Sequence, residues 1–409
     1  MKKLAYPLLI VALLATLGFV YRNYEQKKNA IPTLQNRSQK QTVSTGSEWL
    51  NTKKAIDGLL DQLRRHPDDI KAKLQLAMAY VQESRVTGNH AYYDEAAYKL
   101  VNQVLEKEPK NYDGLAVKTT ILLSQHHFAD ALTAANEFVK MYPDAAFGYG
   151  LLTDANLELG NYADAIQACD KMNSIRPDLR SYSRAAYLRE IHGDYAGAKD
   201  VMSLAVKAGV PALEQTEWCR VQLGHLYEKT NDLTKAEELY RQSLEIRPDY
   251  AYALAGLGRL AMKKGNYTEG SALFEKAAAQ TADFDFQEKQ LECLEKIDPA
   301  KAKEAAQKLI TDLSKHATDE KADAEKGHYA DKELAYVYLR MGDTQKALDH
   351  ATREWLRRPE NIEANECLAW VYFQKNDFAQ AKMYIEKALK TNSKDPVLLD
   401  RAAQIRVKS

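Results

Sequence analysis

Apolar positions along this chain recur with a helical period and in short blocks. From Glu217 the sequence reads EWCRVQLGHLYEKTNDLTKAEELYRQSLEIRPDY, and Leu223, Gly224 and Tyr227 share one stripe at i, i+1 and i+4. After the polar TND, Ala236, Tyr240 and Ser243 make a second stripe at i, i+4 and i+7. Each stripe suits one face of a helix, and the polar break between them suits a tight turn. The spacing predicts two antiparallel helices of about 14 residues. Small Gly224 and Ala236 fall where the helices cross most closely, with Tyr227 and Tyr240 filling the space beside them. Pro248 stops the second helix and opens the next block.

The block repeats. GNYADAIQACDKMNSIRPD begins at Gly160, and NDLTKAEELYRQSLEIRPD closes in the same way at Asp249 as the first does at Asp178. The 34 residues from Ala251 follow directly on the 34 from Glu217. The pattern returns at Tyr112–Ala145 (Ala131, Ala135, Pro143) and at Ala146–Asp178 (Leu152, Gly160, Tyr162, Ala165, Pro177). It continues from Leu179 with Gly193, Tyr195 and Ala198, followed by the extra residues VPALEQ. Near the C-terminus it recurs at His328–Asn361 (Leu334, Ala335, Tyr338, Gly342, Ala347, Pro359) and at Ile362–Asp395 (Leu368, Ala369, Tyr372, Ala381, Ala388). Leu-Gly, then Tyr, then Ala, an aromatic, Ala and Pro within 34 residues resembles the tetratricopeptide repeat.

That resemblance implies an all-α, right-handed solenoid of antiparallel helix pairs over residues 47–395, eight or nine pairs in all. Residues 396–409 would be a polar-faced capping helix. Two places depart from the pattern. The unit from Ile70 carries Leu76, Ala77 and Tyr80, then an insertion of about seven residues around ESRVTGNHAYYD before Ala96 and Ala97 resume. Residues 285–327 are helical by pattern but degenerate, with a turn-like IDP at Ile297–Pro299 and a charge-dense ATDEKADAEKG.

The N-terminus is a different kind of sequence. MKKLAYPLLIVALLATLGFVYR has no charge from Leu4 to Tyr21, long enough as a helix to span about 27 Å of a bilayer core of about 30 Å. Residues 1–21 therefore read as a single membrane-spanning signal anchor, with a cleaved signal peptide as the alternative. Residues 22–46 read as a flexible, polar, basic linker. The expectation is a single-pass protein whose repeat array is extracytoplasmic, or periplasmic in a bacterial envelope. After signal cleavage it would instead be an exported soluble protein.

Composition narrows function mostly by exclusion. The 57 basic and 57 acidic residues cancel, but residues 1–46 hold seven bases against one acid, so the rest carries −6. A folded body of that sign argues against nucleic acid as partner. The four cysteines (Cys169, Cys219, Cys293, Cys367) are too scattered for a disulfide framework or zinc site and read as helix-interface residues. No phosphate-loop, HExxH or GxSxG pattern occurs. His126-His127 at an inter-helix turn reads as a solvated pair. The reading is non-enzymatic, with no cofactor and no metal.

The resemblance also implies that the first helix of each pair lines a concave surface where a peptide or protein partner binds. On the helix after His328, a stripe apart from the packing face holds Tyr329, Lys332, Tyr336 and Leu339. The next unit offers Glu363, Glu366, Trp370 and Phe373, and the unit from Ala251 offers Tyr252 and Arg259. Candidate partner-binding residues are thus Tyr252, Arg259, Tyr329, Lys332, Tyr336, Trp370 and Phe373. Members of this family that grip the terminal carboxylate of heat-shock chaperones use Lys and Asn at earlier concave places. Here those places hold Ala116, Thr120 and Leu151, and only Arg180 and Arg184 match, so that partner is not expected. The alternative function is self-association without a defined groove.

Overall fold

The computed structural model describes residues 13–14, 16–22, 31–35, 37, 39–281, 283–316 and 329–408. Within them, beyond the helical residues 13–14 and 16–22, run twenty helices and no strand. They are α1 (Gln39–Arg65), α2 (Ile70–Thr87), α3 (His90–Lys107), α4 (Tyr112–Ser124), α5 (Phe128–Met141), α6 (Ala146–Leu159) and α7 (Tyr162–Ile175). Next come α8 (Leu179–Ile191), α9 (Tyr195–Ala208), α10 (Glu214–Lys229), α11 (Leu233–Ile246), α12 (Ala251–Lys263), α13 (Tyr267–Gln280) and α14 (Phe284–Ile297). The last are α15 (Pro299–His316), α16 (Asp331–Arg340), α17 (Thr344–Arg357), α18 (Ile362–Gln374), α19 (Phe378–Ala388) and α20 (Pro396–Lys408). From α2 to α19 they stack as nine antiparallel pairs, each packed on its neighbours.

The turns inside the pairs share one device. His126, Gly160, Gly193, Asn231, Gly265, Gly342 and Asn376 all have positive φ, the left-handed conformation that ends a helix and frees its last carbonyls for capping. The residue after each closes a six-residue loop back to the helix, as in Asn161 N to Asn156 O and Asp232 N to Tyr227 O. Asp194, Asp232, Asp343 and Asp377 then cap the following helix through their side chains. Successive units are joined by a wedge. The fully buried Tyr240 of α11 sits against Gly224 of α10 and Gly256 of α12, and a Cβ at either glycine would lie 2.6–2.7 Å from the ring. This is the small-beside-large pairing read from the stripes.

Three regions differ from the sequence reading. The insertion in the first unit is no loop: α2 and α3 each run 18 residues, so the extra chain is absorbed as additional helical turns. Residues 284–316 form an ordinary helix pair despite the missing signature, with Leu291, Ala306, Leu309 and Ile310 buried against Leu334 and Val337. The charge-dense stretch beyond it, 317–328, lies outside the described residues.

The third difference is the linker. Its residues 31–35 and 37 dock along α2 and α3. Tyr80 donates to the Pro32 carbonyl (2.6 Å), Tyr92 to Thr33 (2.5 Å) and Tyr93 to Gln35 (3.1 Å). Arg37 pairs with Glu83 at 2.5 Å with both side chains 1 % exposed, and α1 already begins at Gln39. Hydroxyl donors that read an extended backbone hold this part of the basic segment in place. Of the apolar N-terminal segment, residues 13–14 and 16–22 are helical and the remainder lies outside the described residues. Among the described residues no helix is long and apolar enough to cross a membrane.

The solenoid winds tightly enough for distant units to touch. Arg358 at the end of α17 reaches Glu158 of α6 at 2.6 Å and also holds Glu354 at 2.5 Å. Asn361 donates to the Glu158 carbonyl (3.0 Å), and the Ile362 amide donates to the Tyr162 hydroxyl (2.9 Å). Gly160 is pressed against the Glu360 carbonyl, leaving no room for a Cβ. His126 hydrogen-bonds the Tyr329 carbonyl at 2.9 Å, and His127, 5 % exposed, stacks on the Tyr329 ring. The histidine pair is therefore part of this seam and not solvated. A second joint links Lys229 of α10 to Asp395 before α20 (2.9 Å).

Candidate functional site

The first helices of the pairs face inward, and the seam divides the space they enclose into two chambers. The N-terminal chamber, about 950 Å³, is lined from α2, α4, α6, α8, α10 and α12. Its wall is largely apolar: Met78, Tyr112, Phe147, Leu151, Tyr187 and Trp218. Met78, Tyr112 and Tyr187 remain 38–40 % exposed, although they are large apolar or aromatic side chains. Packed interiors do not leave such groups half-covered, so this wall has unspent binding capacity.

The few charges in the N-terminal chamber are mostly paired. Arg184 holds Asp154 through Nε at 2.8 Å and Nη2 at 2.5 Å, and Arg85 holds Glu214 at 3.1 Å while lying over the Trp218 ring. Arg180 lies over the Phe147 ring at 5.5 Å. Ala116, Thr120, Leu151, Arg180 and Arg184, the positions read from the sequence as an incomplete carboxylate clamp, all line this one chamber. At its edge His90, Asp94 and Ser124 form a cluster that the sequence reading missed. Ser124 Oγ donates to Asp94 (2.6 Å), but both Ser124 and Asp94 approach the same His90 nitrogen, Nδ1, at 3.0 and 3.2 Å. A nucleophile relay needs its two partners on opposite ring nitrogens, so this cluster does not have that geometry.

The C-terminal chamber, about 900 Å³, is lined from α8, α10, α14, α16, α18 and α20, with Tyr187 shared between the two. Here the wall is charged and already matched. Lys332 meets Glu363 at 2.8 Å, Lys229 meets Glu190 at 2.7 Å, and Arg340 bridges to Glu295 at 2.8 Å. The Lys332 ammonium pulls the Glu363 carboxyl down to about 2 against the cost of its partial burial. Burial works against the Lys229 ammonium, but Glu190 and Asp395 outweigh it and hold its pKa above the usual value. Arg401 of α20 donates to Glu366 (2.9 Å) and to the Tyr336 hydroxyl (3.0 Å).

The sequence candidates separate accordingly. Lys332, Tyr336 and Trp370 line the C-terminal chamber together, joined by Leu339, Glu363 and Glu366. Tyr252 lines the N-terminal chamber, edge-on to Phe286. The other three face neither chamber. Arg259 is committed to Glu228 (2.9 Å) and Tyr240 (3.1 Å) inside the array. Tyr329 is clamped in the seam between His127 and Arg357. Phe373 is half-buried between Trp370 and Phe378. Each shares a helix or its approach with true lining residues, and only the packing of the neighbouring unit turns it away. Phe147, Trp218, Tyr187 and Arg401 were not singled out, although Phe147 and Trp218 occupy first helices and the repeat register places them there.

Profiles described as tetratricopeptide repeat match residues 120–179, 222–290 and 363–395. The chain contains tetratricopeptide repeats. Among curated proteins, the Hsp70-Hsp90 organizing protein of Triticum aestivum is 32 % identical over 99 residues, which is 23 % of this chain and 17 % of that protein. Among solved structures, the human IFIT1 dimer with PPP-AAAA superposes with a TM-score of 0.51 at 16 % identity, covering 83 % of this chain and 78 % of that one. The Cut9–Hcn1 hetero-tetramer gives 0.47 at 14 % identity, covering 88 % and 60 %. At 16 % identity the likeness to IFIT1 shows a shared fold and nothing finer.

Proposed function

We propose that this tetratricopeptide protein is a non-enzymatic scaffold that holds an extended peptide or protein segment in its N-terminal chamber. The observation carrying this reading is the open apolar wall of Met78, Tyr112, Phe147, Tyr187 and Trp218 along five consecutive first helices. Aromatic side chains facing a concave, open space are what an interface hot spot uses. The apolar segment from Leu4 to Tyr21 supports a membrane tether, which would raise the local concentration of the scaffold near a membrane complex. In that arrangement the array lies on the extracytoplasmic side and assists assembly, secretion or maturation of envelope proteins.

The PPP-AAAA of the IFIT1 structure is not extended to this chain. Residues 47–409 carry −6, and of the chamber cations Arg85 and Arg184 are spent on carboxylates while Arg180 lies over the Phe147 ring. A chaperone carboxylate is not proposed as the ligand either, since Ala116, Thr120 and Leu151 supply no donor side chain suited to it.

The test is crosslinking and affinity purification of tagged, full-length protein from native membranes, beside a Phe147→Ala/Trp218→Ala double variant. A partner recovered by the parent and lost by the variant, at unchanged helicity, supports the reading. Equal recovery by both overturns the assignment to this chamber, and recovery of this chain alone favours self-association.

A further inference from the structure

The capping helix does two separate things. Leu398, Ala402 and Ile405 cover the apolar end of the array, each at most 3 % exposed. That is sufficient for a cap. From the inward side of the same helix, Arg401 extends into the C-terminal chamber. Its guanidinium carbon lies 5.1 Å from the Trp370 ring centroid and 5.2 Å from that of Tyr336. Nη1 donates at once to Glu366 Oε1 (2.9 Å) and to the Tyr336 hydroxyl (3.0 Å). Phe373 stacks behind Trp370 at 5.0 Å and keeps that ring in place. Two aromatic faces and a carboxylate around a planar cation are the elements of a recognition cage, here filled from within.

We propose that Tyr336, Trp370 and Glu366 form a guanidinium-binding cage, occupied at rest by Arg401, and that an arginine side chain of an incoming peptide replaces it when α20 lifts. The cage is built on α16, which lies between neighbouring pairs, and on α18, which packs on α16, α17 and α19. Its occupant sits on α20, which packs on α19 and α18 beyond the Lys229–Asp395 joint, and a helix held by so few neighbours opens more readily than one inside a pair. The flat guanidinium lies against two rings while one of its nitrogens reaches the carboxylate, whereas a compact lysine ammonium would use the carboxylate and offer no planar face to the rings. Lys332 and Lys229 do not compete, because they are held by Glu363, Glu190 and Asp395. The cage is in the other chamber from the apolar wall of the proposed function and stands or falls independently of it.

The experiment uses the full-length protein with Arg401→Ala, and Arg401→Met, which keeps the aliphatic stem against the rings. The probes are acetyl-Gly-Arg-Gly-amide and its citrulline counterpart, which has the same shape without the charge. Binding is read from tryptophan fluorescence and from the thermal midpoint. The emptied cage should prefer the arginine peptide by about tenfold or more, and Trp370→Ala on the Arg401→Ala background should abolish the preference. The parent, with its cage filled, should bind the arginine peptide more weakly than either variant. A variant of native helicity that binds both peptides equally, or neither, overturns the proposal. Should both variants fail to fold, hydrogen exchange of residues 396–408 in the parent decides: faster exchange with the arginine peptide than with citrulline supports it, and equal rates overturn it.

Discussion

The two chambers are made from the same kind of helix and share Tyr187, yet they present opposite chemistry. In the N-terminal chamber large apolar side chains stay half-exposed, whereas in the C-terminal chamber almost every charged group already has a partner. A wall of unspent apolar surface gains free energy when something covers it. A wall of satisfied ion pairs gains nothing until one of its own groups is displaced. Concavity alone thus does not mark a binding surface. What matters is whether the lining side chains are already used.

The most disruptive way to break the comparison is to break the wall between the chambers. Arg358→Ala removes the cation shared by Glu354, 5 % exposed, which keeps Arg357 at 2.8 Å, and by Glu158, 42 % exposed. Losing several charge-assisted hydrogen bonds at a partly exposed joint costs roughly 2–4 kcal/mol. The urea midpoint followed by circular dichroism should fall accordingly, and solution scattering should show a longer particle as the seam opens. An unchanged midpoint would mean the seam contributes nothing to closure.

Next in size is the loss of capture by Phe147→Ala/Trp218→Ala. Truncation of an interface hot spot costs on the order of 2–4 kcal/mol of binding, so partner recovery should drop below detection while the thermal midpoint moves little.

A smaller effect sits beside Tyr252. Burial, helped by the neighbouring Asp285, raises the Asp283 carboxyl from its ordinary 3.8 to about 6. A carboxyl with a raised folded-state pKa favours folding at low pH, and this contribution is lost as pH climbs from about 4 through about 6. Asp283 also caps α14 through its side chain, which asparagine preserves. Asp283→Asn should therefore stabilise the protein at neutral pH by roughly 1 kcal/mol and leave stability at pH ~4 unchanged. Parallel urea titrations at the two pH values check the sign. The smallest change is expected from Lys332→Met, because its pair with Glu363 is 30 % and 45 % exposed. Below about 1 kcal/mol is expected, with capture by the N-terminal chamber intact.

Much of the array could be read from period and spacing because its stabilising contacts are local. Tyr240 wedged between Gly224 and Gly256 belongs to neighbouring blocks, and the repeat register places all three. Lys332, Tyr336, Glu363, Glu366 and Trp370 were likewise legible as inward positions, since one helical period separates a packing stripe from its neighbour. Arg259 and Tyr329 misled for the same reason. The register put them away from the packing stripe, but a neighbouring carboxylate and the seam took them up.

The sequence by itself determined that helices form, where each turns back and how each pair rests on the next, because those contacts span a few tens of residues at most. The tertiary structure alone decided the seam and hence the two chambers. Arg358 and Glu158 stand 200 residues apart and meet only because small rotations between nine stacked pairs accumulate into one tight winding. It likewise decided that Arg401, which the sequence reading did not single out, would reach back over Tyr336 and Trp370. No local period encodes the summed rotation of the array, which is why the fold was readable from the chain and the division of its interior was not.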